Sequence, residues 1–421
     1  MNPKRSTQSV LGGTAAGLVD GRQPRLLVLG AGRGQAGLIS AARQMGVHTV
    51  VATLPDGDPP GIALADEVAY VDITDVDAVV GVARQLDLDG VATSCADTGI
   101  SALGAVCEEL GLPGLTRESA AICADKRAMK ERFASYGVSS PKYRLIGSLP
   151  ELYAAFDDLG MPVIVKAPDL QGSRGVAILR EPSDAPQAYR HAADATHQAE
   201  VVVEQFVVGR EFGAQALVRD QEIMFVLIHN DEVHLGDTGV PVGHSVPFRG
   251  DAALVLQARE LVEAAIRAVG LDNCAVNVDL IATDSSVAVL EVTGRAGANG
   301  LPEMVSAYFG IDYYESIVRL ALGDLLCEWP SPGGTAVSVG MIMPPVQARG
   351  TIANLRLEHH GADTSHLFFV GPGGRIDGFR DSSDCLGQII AMADSLAEAD
   401  RLVESARRAV VLDVIPTPLQ S

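Results

Sequence analysis

Uninterrupted apolar runs alternate with helical periodicity over the first quarter of the chain. Leu26-Leu27-Val28-Leu29 reads as a buried strand, an amphipathic helix follows to about Met45, and the next strand is His48-Thr49-Val50-Val51-Ala52-Thr53. A helical stretch over 78–86 then precedes the strand Gly90-Val91-Ala92-Thr93. Strands separated by helices predict a small parallel sheet, because parallel neighbours need crossover connections. From Ser119 the texture changes to a helix over 119–136, then strands at Tyr143-Arg144-Leu145-Ile146 and Pro162-Val163-Ile164-Val165-Lys166. Four β-rich runs follow, over 200–207, 212–218, 223–229 and 275–282, the last pairing with 287–292 across Thr283-Asp284-Ser285-Ser286 as a hairpin. That is antiparallel architecture and hence a second unit.

A Pro/Gly-rich break, Trp329-Pro330-Ser331-Pro332-Gly333-Gly334, precedes a third, α+β unit with a strand over 336–341 and a final helix over 396–409. The expected division is therefore a flexible tail over 1–23, a Rossmann-like α/β domain over 24–118, a two-lobed domain over 119–328 and a small α+β domain over 335–421.

Composition removes several classes of partner. The net charge of -21 argues against nucleic acid and against an anionic membrane surface, since both need clustered Lys and Arg. No stretch approaches the ~18–20 apolar residues of a membrane span. The weakly apolar N-terminus, with Lys4 and Arg5 and then Gly12, Gly13 and Gly17, is read as a tail and not as a signal peptide. Six cysteines without a C-x-x-C pair or His at ligand spacing fit free thiols in a reducing cytoplasm. Cys95 could be argued as a nucleophile, but its segment carries no His.

Three pieces carry candidate chemistry. Gly32-Arg33-Gly34-Gln35-Ala36-Gly37 satisfies G-x-G-x-x-G after a strand, as an NAD site would, yet the acidic residue expected after the second strand is missing from Thr53-Leu54-Pro55. The same glycines would equally let a helix pack close to a strand. Lys166 ends an apolar strand and is followed by Gln171-Gly172-Ser173-Arg174-Gly175, whose backbone N–H groups and Arg could cradle a polyphosphate; a plain hairpin loop is the alternative. Asp279 and Glu291 stand among apolar residues on the hairpin strands, where a shared Mg²⁺ would offset the cost of two unpaired carboxylates. Glu291 runs into the donor-rich loop Thr293-Gly294-Arg295-Ala296-Gly297-Ala298-Asn299-Gly300.

In that order the pieces resemble the ATP-grasp superfamily, over roughly residues 25–420. The resemblance implies that ATP, with Mg²⁺ or Mn²⁺, lies between two α+β lobes. Lys126, in the helix-start motif Ala124-Asp125-Lys126-Arg127-Ala128-Met129-Lys130, and Lys166 would reach its phosphates, and the loop Gly172, Ser173, Arg174 and Gly175 would cover them. Glu204, Gln205, Phe206 and Val207 would form the hinge at the adenine edge, with Glu211 on the ribose. Asp279 and Glu291 would hold metal, Arg295 would act with Lys166 on the transferring phosphoryl group, and His244 and Asn299 would lie on the substrate side. The chain departs from the family where an Asn two residues after the metal-binding Glu is replaced by Thr293.

The implied reaction phosphorylates a substrate carboxylate and passes the acyl group to an amine, most similar to the amino-acid and dipeptide ligases, with a homodimer among the assemblies such relatives form. Relatives that use bicarbonate or formate as the acid are the nearest alternative, then an NAD-dependent oxidoreductase, then a nucleotide-binding module without turnover.

Overall fold

The structure is a computed structural model that describes residues 22–170, 175–235, 239–284, 286–324, 329–358 and 361–416. The loop positions Gly172, Ser173 and Arg174, most of the N-terminal tail and Cys327 lie outside the described residues.

Four strands, β1 (Arg25–Leu29), β2 (His48–Thr53), β3 (Glu67–Tyr70) and β4 (Gly90–Ala92), form a parallel sheet in the order β3-β2-β1-β4. The runs of β1, β2 and β4 are buried because helices cover them, as parallel sheets require, whereas β3 lies at the sheet edge and is half-exposed. The helix Arg33–Gln44 leaves the glycine-rich turn and packs tightly. A methyl group at Gly34 would come 2.7 Å from the Cys95 Cβ, and one at Gly37 would strike the Tyr314 ring. These glycines serve close packing of protein on protein, which answers the dinucleotide alternative in favour of the structural one.

The helix expected over 119–136 is two helices, Arg117–Ala124 and Lys126–Tyr136. Asp125 takes extended dihedrals between them, and its side chain accepts from Arg127 N at 2.8 Å, capping the second helix. The break places Lys126 at a helix start, where its side chain can turn inward.

A small antiparallel sheet is built from β5 (Tyr143–Ile146), β6 (Val163–Lys166), β7 (Val176–Leu179) and β8 (Val201–Gln205), in the order β5-β8-β6-β7. The larger sheet contains β9 (Arg210–Arg219), β10 (Glu222–Leu235), β11 (Gly239–Val246), β12 (Cys274–Ala282) and β13 (Val287–Thr293). It continues through β14 (Ala336–Ile342), β16 (Thr364–Phe368) and β18 (Gly387–Ala393), giving the order β13-β12-β9-β10-β11-β14-β18-β16. The strands β15 (Arg349–Leu357), β17 (Arg375–Asp377) and β19 (Val410–Pro416) make a separate three-stranded sheet.

The sheet therefore crosses the Pro/Gly break that was expected to divide the second unit from the third. At the near end of the break, Trp329 stacks on Phe225 with ring centroids 4.3 Å apart, so the segment is pinned to the core by an aromatic contact that no local propensity shows. No helix among the described residues is long and apolar enough to cross a membrane.

Candidate functional site

A cavity of about 250 Å³ lies between the small sheet and one face of the large sheet. Its floor is a set of buried ion pairs. Lys166, the last residue of β6, points at Glu204 on the neighbouring strand β8, Nζ to Oε2 2.8 Å, while Lys130 approaches Oε1 at 3.4 Å. Glu204 is 1% exposed. Burial alone would raise its pKa, but the two ammonium groups outweigh burial and hold it at about 2. Lys166 is conversely raised: burial opposes its charge and Glu204 more than compensates. Lys126 Nζ donates to Leu170 O at 2.5 Å and lies 3.4 Å from Glu291 Oε1.

Lys126 and Lys166 thus face the cavity at one end, with Lys130 enclosed behind Glu204, and their ammonium groups are placed where a polyphosphate could meet them. At the other end Gln205, Phe206 and Val207 line the wall with Ile164, Ile178 and Leu290, an apolar slot for a flat ring. Glu211 stands on the rim and is raised by partial burial and then by Asp231. Gly175, the first described residue after position 170, stands at φ +64°, where a side chain would also strike Ala167. Lys130 was quoted only as part of a motif, and its engagement of Glu204 was not anticipated.

The hairpin strands place the two acids opposite one another, since Asp279 pairs with Glu291 in the β12–β13 register. Both line the cavity. Asp279 opens into the cavity between the two sheets and Glu291 is half-buried, while Leu280, Ile281 and Leu290 line the same cavity beside them. Enclosure, then Glu291, then Asp231 raise Asp279 to about 7. Asn277 Nδ2 donates to Asp279 Oδ1 at 3.0 Å, and Gln215 Nε2 holds Asn277 Oδ1 at 2.6 Å. Two converging, mutually repelling carboxylates at the edge of a phosphate-sized cavity are a donor set that fits Mg²⁺ or Mn²⁺.

Arg295 follows on the loop after β13 and is clasped by Asp97 from the loop after β4. Its Nε lies 2.8 Å from Oδ1 and Nη2 2.6 Å from Oδ2, and Nη1 donates to Ala296 O at 3.1 Å. A guanidinium held along its Nε–Nη2 edge keeps one N–H on each Nη directed away from Asp97, a fork suited to an oxyanion. Thr293 Oγ1 donates to the same Asp97 Oδ1 at 2.8 Å. The Thr that stands in place of a metal-binding Asn thus supports the Arg295 clasp. Sequence reading missed Asp97. Its signal was an acid just past the carboxyl end of a parallel strand, where such sheets place their functional groups. Cys95, two residues earlier, is pushed up to about 12 by burial and then Glu303, and its Sγ donates to Gly297 O at 3.2 Å, so no thiolate nucleophile is available.

The two substrate-side residues part company. Asn299, at φ +57°, donates from Nδ2 to Pro241 O at 3.2 Å and ties the Arg295 loop to β11. His244 lines a separate polar cleft and is bound through Nδ1 to Asp231 Oδ1 at 2.6 Å.

A family model, the ATP-grasp (A) domain of phosphoribosylglycinamide synthetase, matches residues 124–248. The crystal structure of phosphoribosylglycinamide synthetase from Anaerococcus prevotii superposes with a TM-score of 0.80 at 37% identity, covering 93% of this chain and 100% of that one. The L-amino acid ligase from Bacillus licheniformis shares the fold, with a TM-score of 0.78 at 20% identity over 94% of this chain and 99% of that one. The alanine–anticapsin ligase of Bacillus subtilis is 25% identical over 277 residues, which span 60% of this chain and 57% of that protein. With the lysines and the acid pair facing one inter-sheet cavity, and the Arg295 loop following directly on the acid-bearing strand β13, these similarities establish that the chain belongs to the ATP-grasp carboxylate–amine ligase superfamily and is an ATP-dependent ligase.

Proposed function

We propose that the chain activates the carboxylate of an amino acid with ATP and joins it to an amine, releasing ADP and phosphate. The observation that carries this reading is the cavity in which Lys126 and Lys166 face the Asp279–Glu291 pair. Mg²⁺ or Mn²⁺ held by Asp279 and Glu291 would neutralise phosphate charge as the γ-phosphoryl group leaves ATP. Lys126 and Lys166 bind the phosphates; Gln205, Phe206 and Val207 hold the adenine, and Glu211 the ribose. The free fork of Arg295 orients the substrate carboxylate towards the phosphoryl group and then steadies the acyl phosphate. Gly172, Ser173, Arg174 and Gly175 exclude water from that intermediate. The amine attacks the acyl carbon, and its proton leaves with the phosphate. Asn299 borders the acceptor side, and the functional assembly is a homodimer in the cytoplasm.

Support for an amino acid as the acid comes from the alanine named in the B. subtilis relative. The 37% identity with the A. prevotii protein favours a second reading, in which the product is a phosphoribosylglycinamide. Phosphate release from ATP, measured across amino-acid pairs, glycine with phosphoribosylamine, bicarbonate and formate, tests all of them. Stimulation by bicarbonate or formate alone, with silence across the amino-acid pairs, would overturn the proposed function.

The Asp97 clasp leads to a prediction. Asp97→Asn keeps the size but weakens the hold on Arg295, so kcat is expected to fall by about 10²-fold, the order seen when one preorganised donor is lost. KM for ATP should change less than kcat, because Asp97 holds Arg295 directly and acts on Lys126 only through its charge. A rise in KM for ATP with kcat intact would remove Asp97 from this role.

A further inference from the structure

We propose that His229, Asp231 and His244 bind one transition-metal ion of the Zn²⁺ or Co²⁺ class, at a site distinct from the Asp279–Glu291 pair. Asp231 on β10 pairs with His244 on β11, and His229 lies two residues before Asp231, so all three side chains share one face of the hairpin. Their ligand atoms converge: His229 Nδ1 is 2.9 Å and His244 Nδ1 2.6 Å from the same oxygen, Asp231 Oδ1. The rings stand edge to face at 86°, with centroids 5.3 Å apart. Both imidazoles are enclosed, at 1% and 5% exposure. Gly213 faces His229 across the β9–β10 register, and a Cβ there would come 2.7 Å from His229 Nε2, so the seat for this ring exists only because the residue is glycine.

Two features ask for a cation. The Nε2 atoms of both rings are buried without a hydrogen-bond partner, so each ring engages through Nδ1, and both Nδ1 atoms crowd onto the single oxygen Asp231 Oδ1. Asp231 has the two imidazoles as its ion-pair partners among the described residues, with no Lys or Arg in contact, and it stands in a neighbourhood already rich in acid, near Glu211 and Asp279. A divalent ion neutralises the enclosed carboxylate and replaces the protons between it and the rings. Two bonds of ~2.1 Å at the tetrahedral angle set ligand atoms ~3.4 Å apart, so binding opens the observed 2.6–2.9 Å spacing by about half an ångström or more, within reach of side-chain rotation about χ1 and χ2. Two imidazoles and one carboxylate select borderline metals, whereas Mg²⁺ prefers oxygen and goes to Asp279 and Glu291. This assigns His244 to the metal and not to substrate.

The test uses the full chain, stripped with chelator and then held in saturating Mg²⁺ while Co²⁺ is titrated in. One equivalent is expected to bind with a visible d–d absorption band that Zn²⁺ abolishes, and one equivalent of Zn²⁺ should raise Tm. His229→Gln and His244→Gln, checked for folding by circular dichroism, should weaken Co²⁺ binding by at least about 10–100-fold, whereas Glu291→Gln should leave it unchanged. Absence of the band and of the Tm shift in the wild-type chain would overturn the proposal whatever the variants do, as would a band lost in Glu291→Gln but kept in His229→Gln. Each result is read as binding, so failure here leaves the ligase reading to be judged by phosphate release.

Discussion

Glu291→Gln is expected to abolish ATP-dependent phosphate release, by on the order of 10³-fold or more, which corresponds to several kcal/mol of lost charge stabilisation. Gln keeps the shape of the side chain, so the packing of β13 survives while one of two metal-binding charges disappears. The variant has a second signature that a merely damaged protein would lack. In the wild type, enclosure and Glu291 together raise Asp279 to about 7. Removing Glu291 relieves part of that, and the Asp279 carboxyl should move down towards the ordinary carboxylate range. Metal-free Glu291→Gln also takes from Lys126 its partner at 3.4 Å, so the downward move of Asp279, and not Tm, is the signature of the lost repulsion. An NMR titration of the Asp279 carboxyl without metal and a phosphate-release assay with Mg²⁺ read the two effects separately. A variant that retains more than a tenth of wild-type turnover would remove Glu291 from the reaction.

Glu204→Gln should act on stability first. It leaves Lys130 and Lys166 facing each other without the carboxylate that neutralises both. Breaking such an enclosed pair from one side costs about 3–5 kcal/mol, which urea unfolding at pH 7 would show. The pH dependence follows from the sign of the shift. The folded pKa of Glu204, about 2, lies below the ~4.3 of an unfolded glutamate, so its contribution is complete above the unfolded value and lost as pH falls through about 2. The stability gap between wild type and Glu204→Gln should therefore be wide at pH 7 and narrow at pH 3. Adding Lys130→Met to the variant should recover part of the loss, because an apolar side chain carries no charge to strand there. An unchanged gap between pH 7 and pH 3 would mean that the ion pairs are not its source.

The parts of the site that were legible in the sequence are those whose signal is local. Leu26 to Leu29 form an apolar run because both faces of β1 are covered, and the acids on β12 and β13 were paired across a short turn that places them in register. Lys166 was visible as a charge ending an apolar strand. What escaped depends on contacts distant in the chain. Asp97 and Arg295 lie 198 residues apart and meet only because two sheets pack together. The helix start at Lys126 was legible only through the motif over 124–130; periodicity alone ran one helix over 119–136, because the cap at Asp125 leaves the apolar spacing unbroken. The histidine cluster on β10 and β11 was invisible for the same reason as Asp97: His229 and Asp231 look like ordinary alternation until the hairpin register brings His244 opposite.

The continuity of the large sheet bears on how the chain can be divided. β14 pairs with β11 along Gly243–Gly340, His244–Val339, Ser245–Ser338 and Val246–Val337. A fragment ending at the Pro/Gly break would keep every group of the ATP cavity yet expose that row of backbone donors and acceptors as a bare edge, an invitation to intermolecular strand pairing. Such a fragment should aggregate, whereas one running through Ala393 carries β14 and β18 and closes β11. The point at which this protein can be shortened is thus set by hydrogen bonding across the sheet, well beyond the last residue its chemistry uses.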